Sequence, residues 1–169
     1  MISAMDESRG IGKNNLLPWK ISADLKYFQK VTTNCCEGKQ NAIIMGRHTF
    51  ESMDCRPLKN RLNLVLTSQE RISENEQICF CQSLMDAVQI CEANSSIQDI
   101  YVIGGQKVYE MAFIELPLTG IYLTQIQGDY ECDRFFPNLE GFQKIWESNE
   151  QIEKDFSFRY QYWTKINCE

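Results

Sequence analysis

The chain is poor in the residues that build metal centres and covalent catalysts. It has one histidine, His48, in 169 residues, and its eight cysteines (35, 36, 55, 79, 81, 91, 132 and 168) include no C-x-x-C pair. A zinc site is therefore not expected, and no metal ligand is assigned. No serine or cysteine has a histidine near it in sequence, so nucleophilic catalysis has no specific support. The G-x-G-x-x-G and G-x-x-x-x-G-K-[ST] patterns are absent too, which speaks against a Rossmann dinucleotide domain and a P-loop ATPase. Basic residues are in the minority, with 17 Lys and Arg against 23 Asp and Glu and a formal charge of -6. That balance argues against nucleic acid or an anionic membrane as a partner, and any phosphate site has to be local. No apolar run approaches membrane-spanning length, and Met1 to Glu7 lacks the basic and long apolar regions of a secretory signal. The protein is read as cytoplasmic, with its cysteines as free thiols.

What is present suits one compact domain over residues 1–169, since 43% of the chain is hydrophobic and 24% charged. Met1 to Met5 reads as a short strand and Asp6 to Gly12 as a polar loop. A helix capped by Ser22 follows. Asn41 to Met45 reads as a buried strand that stops at Gly46, before one or two helical turns over Arg47 to Ser52. Leu62 to Leu66 is the next strand, and Cys79 and Cys81 flank Phe80 as same-face strand residues. Ser83 and Asp86 make a capping-box start for an amphipathic helix with Leu84, Ala87, Val88 and Cys91 on its stripe. Ile100 to Ile103 is a strand broken by Gly104-Gly105, with helical Gln106 to Ala112 after it. Ile121 to Gln127 and the alternating Phe156 to Tyr162 are strands without intervening helices. This order implies an α/β sheet, mostly parallel, with antiparallel strands added at the C-terminal end.

One acid has an unusual address. In a helix starting near Ser22, Ile21, Leu25, Phe28 and Val31 gather on one face with Asp24 in its middle, while Lys26, Gln29 and Lys30 collect opposite. A buried carboxylate needs hydrogen-bond donors, which the protein or a ligand must supply. The alternative is that Asp24 merely complements the dipole of the first helical turn. Both readings stay open on helical periodicity alone.

Two strand ends run through glycine into a helix, at Met45-Gly46-Arg47-His48-Thr49 and Ile103-Gly104-Gly105-Gln106-Lys107, and Thr67-Ser68-Gln69 forms a third strand end. Helix N-termini and close-approaching glycine backbone suit phosphate, and ligands of open α/β sheets bind at the carboxyl ends of strands. Arg47 and Lys107 stand beside these junctions in an otherwise acidic chain. Arg61 is a cation able to receive an anionic ligand near Asp24.

Taken together, Gly12-Lys13-Asn14-Asn15-Leu16-Leu17-Pro18-Trp19, Asp24-Leu25-Lys26-Tyr27-Phe28, Ile44 to Ser52, Arg56-Pro57-Leu58, Ile103-Gly104-Gly105 with Val108-Tyr109, and Phe135-Phe136-Pro137 resemble the dihydrofolate reductase family over nearly the whole chain. The resemblance implies NADPH-dependent reduction of 7,8-dihydrofolate on a central eight-stranded mixed sheet with flanking helices and a C-terminal antiparallel hairpin, in a monomer that also binds antifolates. Asp24 would be the catalytic pocket acid, with Leu17 and Trp19 in the lid over the nicotinamide. Its pKa should be raised by an apolar pocket. By similarity, Ala4, Phe28, Thr49, Met53, Leu58, Ile103 and Tyr109 would line the substrate site, and Arg61 would pair with the substrate carboxylate. The cofactor would take Ala4, Ile11, Gly12, Asn15, Leu16 and Leu17, then Gly46, Arg47, His48 and Thr49. It would also take Leu66, Thr67, Ser68 and Gln69, then Ile103, Gly104, Gly105, Gln106, Lys107, Val108 and Tyr109. The Gly104-Gly105 bond is expected to be cis. A relative that only binds folate or NADPH, or one that reduces another pterin or pyrimidine, are the alternatives.

Two departures from the family pattern carry expectations. The family usually has more residues ahead of the position of Ile2, so the first strand should be weakly anchored. Arg134 stands where a threonine that hydrogen-bonds the pocket acid is expected, so Arg134 should either reach Asp24 and lower its pKa or turn to solvent and leave a water in the threonine's place.

Overall fold

The computed structural model describes residues 1–166; Cys168 lies outside them. Seven cysteines within the described residues carry free thiols.

Four strands form one parallel group: β3 (Gln40–Gly46) pairs with β4 (Arg61–Leu66) and β6 (Ile97–Gly104), and β4 pairs with β5 (Ile78–Cys81). The second group starts from β1 (Ile2–Met5), parallel to β7 (Ile121–Ile126), which pairs antiparallel with β11 (Phe156–Lys165). The outer edge of β11 carries β9 (Phe142–Glu147) and β10 (Gln151–Glu153), one edge strand interrupted at Ser148 to Glu150. β1 and β6 run side by side where the groups meet. With the broken edge taken as one, the hydrogen-bonded group β5-β4-β3-β6 lies beside the group β1-β7-β11-edge, and together they fill the expected eight positions of a mixed, mostly parallel sheet. The C-terminal hairpin is β10 and β11, turning at Lys154, whose φ is 55°.

The sequence accounts for most of these choices. Ala42 to Met45 have no exposed surface, as expected for the centre of a parallel sheet covered on both faces. One face packs Ile44, Leu64 and Leu123 against Leu84 and Ala87 of α3 (Leu84–Ala93) and Ala112 of α4 (Gln106–Glu115). The other packs Ile43, Met45 and Val65 against Phe50 of α2 (Arg47–Ser52). The capping box of α3 is present, with Asp86 N–H donating to Ser83 Oγ at 3.0 Å and Ser83 N–H donating to Asp86 Oδ2 at 3.1 Å.

Three details depart from expectation. Ser22 does not cap α1 (Ser22–Thr33); it is the first helical residue, and Ile21 at the cap position offers no side-chain acceptor. The carboxylate of Glu153 fills that role from β10, accepting the N–H groups of Ser22 and Ala23, each at 2.8 Å. The first strand is firmly held rather than weakly anchored. Ile2 to Met5 all pair with β7, Ile2 and Met5 are buried, and the Tyr109 hydroxyl donates to the Ile2 carbonyl at 2.8 Å. Finally, the expected loop Asp6 to Gly12 contains β2 (Gly10–Gly12), which pairs with β8 (Arg134–Phe135) into a small ribbon; strands of three and two residues leave no periodic pattern.

Candidate functional site

The carboxyl ends of β1, β3, β4 and β6 open into a cleft of about 1500 Å³, walled by α1 on one side and by the segment after β2 on the other. Pockets for a single drug-sized ligand run to roughly 300–1,000 Å³. The cleft is therefore large enough for two molecules held side by side.

Its α1 wall is the apolar helix face read from the sequence. Asp24, Leu25 and Phe28 all line the cleft, and Leu25 is left 55% exposed because the face meets cavity rather than core. Gln29, placed on the solvent side by periodicity, also lines it. Asp24 is not a mere helix-dipole residue. Burial holds its carboxyl above the ordinary value of 3.8, and a hydrogen bond from Thr124 opposes that rise. Thr124 Oγ1 donates to Asp24 Oδ1 at 2.6 Å, while Oδ2 has no partner among the described residues. The expectation for Arg134 is overturned here. The threonine beside the acid is present, and it comes from β7, whereas Arg134 lies on β8 with its guanidinium on Asp133.

Arg61 is buried at 4% exposure, with Nη1 donating to Thr32 Oγ1 at 2.8 Å and Nε donating to the Lys59 carbonyl at 3.0 Å. Its guanidinium carbon stands 5.9 Å from the centre of the Phe28 ring. These contacts fix the plane of the fork at the cleft wall. Ala4, Thr49, Met53, Leu58, Ile103 and Tyr109 line the same cavity.

Further along, Ile11, Gly12, Asn15, Leu16 and Leu17 form one lip, with Leu16 and Leu17 64% and 57% exposed. Gly46, Arg47, His48, Leu66, Thr67, Ser68, Gly105, Gln106, Lys107 and Val108 form the opposite end. Glu51 accepts from Arg47 Nη1 at 2.9 Å and lies 3.3 Å from His48 Nδ1. The Gly104-Gly105 bond is cis, as expected. Gly104 has φ +111° and a side chain there would meet the Tyr109 ring at 3.0 Å, so the position admits only glycine.

Three predicted residues stay out of the cavity lining. Gly104 packs behind it on Tyr109. Gln69 turns away, its amide oxygen accepting from Arg71 at 2.8 Å and 3.2 Å. Trp19 is buried beneath the lid with Ile21, Ile126 and Phe158, its ring edge-on to Tyr130 at 5.5 Å. Its Nε1 is the one buried side-chain polar atom without a hydrogen-bond partner among the described residues. Residues that sequence reasoning missed also line the cleft, among them Ser52, Gln82, Ser83, Thr124, Asp133 and Phe135. The only available signal for Thr124 was a hydroxyl inside an otherwise apolar strand, and its partner lies 100 residues away.

Chemically, one end of the cleft combines a desolvated acid, an aromatic ring and a rigid guanidinium, a set suited to a flat, polar heterocycle with an attached carboxylate. The other end combines cations, hydroxyls and the start of α4, a donor set suited to a phosphorylated dinucleotide.

A sequence model described as Dihydrofolate reductase matches residues 1–166. A dihydrofolate reductase of Bacillus subtilis is 41% identical over 162 residues, covering 95% of this chain and 88% of the relative. One of Heliothis virescens is 35% identical over 174 residues, covering 98% of this chain and 94% of the relative. A bifunctional dihydrofolate reductase-thymidylate synthase of Glycine max is 34% identical over 176 residues. The chain spans only 33% of that longer protein.

Proposed function

The chain belongs to the dihydrofolate reductase family, and from that premise we propose how its cleft carries out the family's reaction. The protein reduces 7,8-dihydrofolate to tetrahydrofolate with a nicotinamide cofactor. The observation that carries the assignment of roles is Asp24. It is a cleft carboxylate with a raised pKa, tied through one oxygen to Thr124 and without a partner on the other among the described residues.

Asp24 binds the pterin edge, with Oδ2 accepting from the ring N3–H and the 2-amino group. Thr124 keeps the carboxylate plane fixed, so the pair need not reorganise when the ring arrives. A charge held in this apolar pocket favours protonation at N5, where the reduced ring needs its proton. Phe28 and Leu58 sandwich the ring and benzoyl portion, and Arg61 receives the substrate's carboxylate. The bound nicotinamide supplies the hydride. Ala4, Ile103 and the lid residues Leu16 and Leu17 align the two rings and exclude water. Trp19 supports the lid from beneath instead of covering the nicotinamide.

The cofactor is NADPH. Arg47 and Lys107, with His48, Thr67 and Ser68, concentrate positive charge and hydrogen-bonding groups at one end of the cleft in a chain of formal charge -6, which suits a 2'-phosphate. Gly105 and the first turn of α4 suit the diphosphate. Residues of one chain line both halves of the cavity, which supports a working monomer. No helix among the described residues is long and apolar enough to cross a membrane, and a cytoplasmic reductase that also binds antifolates in the substrate half fits this site.

The test is NADPH consumption with dihydrofolate by the native chain and by Asp24→Asn. Turnover by the native chain and a loss of roughly 10²–10⁴-fold in the variant is expected. Absence of turnover in the native chain, with methotrexate still bound, overturns the assignment of activity.

A further inference from the structure

Arg134 has no part in the chemistry above, yet it lines the cleft. Its strand β8 is wedged between the root of the lid and the start of α4. On one side Arg134 pairs with Gly12, and Asp133 N–H donates to the Gly12 carbonyl at 3.0 Å. On the other, Phe135 N–H donates to Gln106 Oε1 at 2.9 Å, and Phe136, 1% exposed, packs on the Tyr109 ring at 4.8 Å. The backbone is thus pinned on both sides while the guanidinium remains 55% exposed.

That guanidinium is loosely held. Nη1 donates to the Asp133 carbonyl at 2.8 Å and stands 3.7 Å from Asp133 Oδ1. Asp133 Oδ2 meanwhile accepts the Asn14 N–H of the lid at 3.0 Å. One carboxylate is therefore shared between a lid amide and an arginine. An exposed pair at that separation contributes little, whereas a phosphate oxygen pair offers guanidinium a bidentate, charge-assisted partner.

We infer that Arg134 is a ligand for the diphosphate of the dinucleotide, and that its transfer from Asp133 to that group leaves Asp133 wholly to the lid. The inference rests on the dinucleotide reading of this end of the cleft. The address selects the diphosphate rather than the 2'-phosphate, because Arg134 pairs with Gly12 at the lid root and its neighbour Phe135 is bonded to Gln106 in the first turn of α4. When Arg134 leaves, the Asp133 carboxylate has one charged competitor fewer, and its hold on Asn14 N–H strengthens. Cofactor binding and lid ordering are coupled through this side chain.

The experiment measures equilibrium binding of NADPH and of NADH to the native chain, Arg134→Met, Arg134→Lys and Arg47→Met, with hydrogen exchange at the Asn14 amide as the second readout. Both dinucleotides share the diphosphate. Arg134→Met is therefore expected to raise both dissociation constants by the same factor, about tenfold, with partial recovery in Arg134→Lys. Arg47→Met is expected to weaken NADPH alone. Cofactor should slow exchange at Asn14 in the native chain and not in Arg134→Met. Unchanged dissociation constants in Arg134→Met, or a loss confined to NADPH, overturn the inference while the dinucleotide reading stands. Failure of the native chain to bind either dinucleotide overturns that reading itself.

Discussion

Thr124 donates a 2.6 Å hydrogen bond to Asp24, and that bond ties the helical wall of the cleft to the sheet beneath it. Two influences act on the acid in opposite directions. Burial at the α1 face pushes the carboxyl up, and the threonine hydroxyl pulls it back.

Removing the hydroxyl leaves burial unopposed. Thr124→Val is expected to raise the pKa of Asp24 further, moving the limb of the kcat/KM profile that reports this acid to higher pH, while Thr124→Ser leaves it in place. A carboxyl NMR titration in each variant reads the shift directly, and identical titrations in Thr124→Val and the native chain would refute the coupling.

The same burial has a consequence for stability. Asp24 titrates higher folded than unfolded, so between the ordinary 3.8 and its folded value the native state binds more protons, and stability falls as pH rises through that window. Below it both states are protonated and the difference vanishes. Asp24→Asn is therefore expected to melt above the native chain at pH 7 and alongside it near pH 3, even as turnover is lost. Calorimetry at the two pH values checks both the direction and its disappearance.

Arg61 holds its fork through two fixed contacts, to Thr32 and Lys59. Lysine keeps the charge and loses the fork. Arg61→Lys is expected to raise KM for dihydrofolate by about tenfold or more, the loss of a charge-assisted contact, with little change in kcat. A pterin substrate lacking the carboxylate should not distinguish the two proteins. A fall in kcat at constant KM would place Arg61 outside substrate binding.

Glu153 closes the N-terminus of α1 from another strand, and the Ser22 and Ala23 amides hold its carboxyl below the ordinary 4.5. A depressed carboxylate adds stability above its unfolded pKa and loses it as pH falls through the folded value. Glu153→Ala is thus expected to lower Tm at pH 7 and to approach the native chain at pH 3. Because α1 carries Asp24, its KM for dihydrofolate should rise too. Equal melting at pH 7 would show that water caps the helix as well as Glu153 does.

The sequence by itself determined the central strands, the glycine junctions and the helix that carries Asp24. Hydrophobic runs such as Ala42 to Met45 and a local device such as the Ser83 capping box carry their own signal, because period and capping act over a few residues. It also placed Asp24 on an apolar helix face and marked the cations at the strand ends. Tertiary structure alone decided what those groups meet. The threonine beside Asp24 arrives from β7, the cap of α1 arrives from β10, and Asp133, next to β8, takes the Asn14 amide of the lid. Each of these contacts joins groups whose order in the chain says nothing of their distance, and only the pairing of β7, β10 and β8 in the folded sheet and ribbon brings them within hydrogen-bond reach.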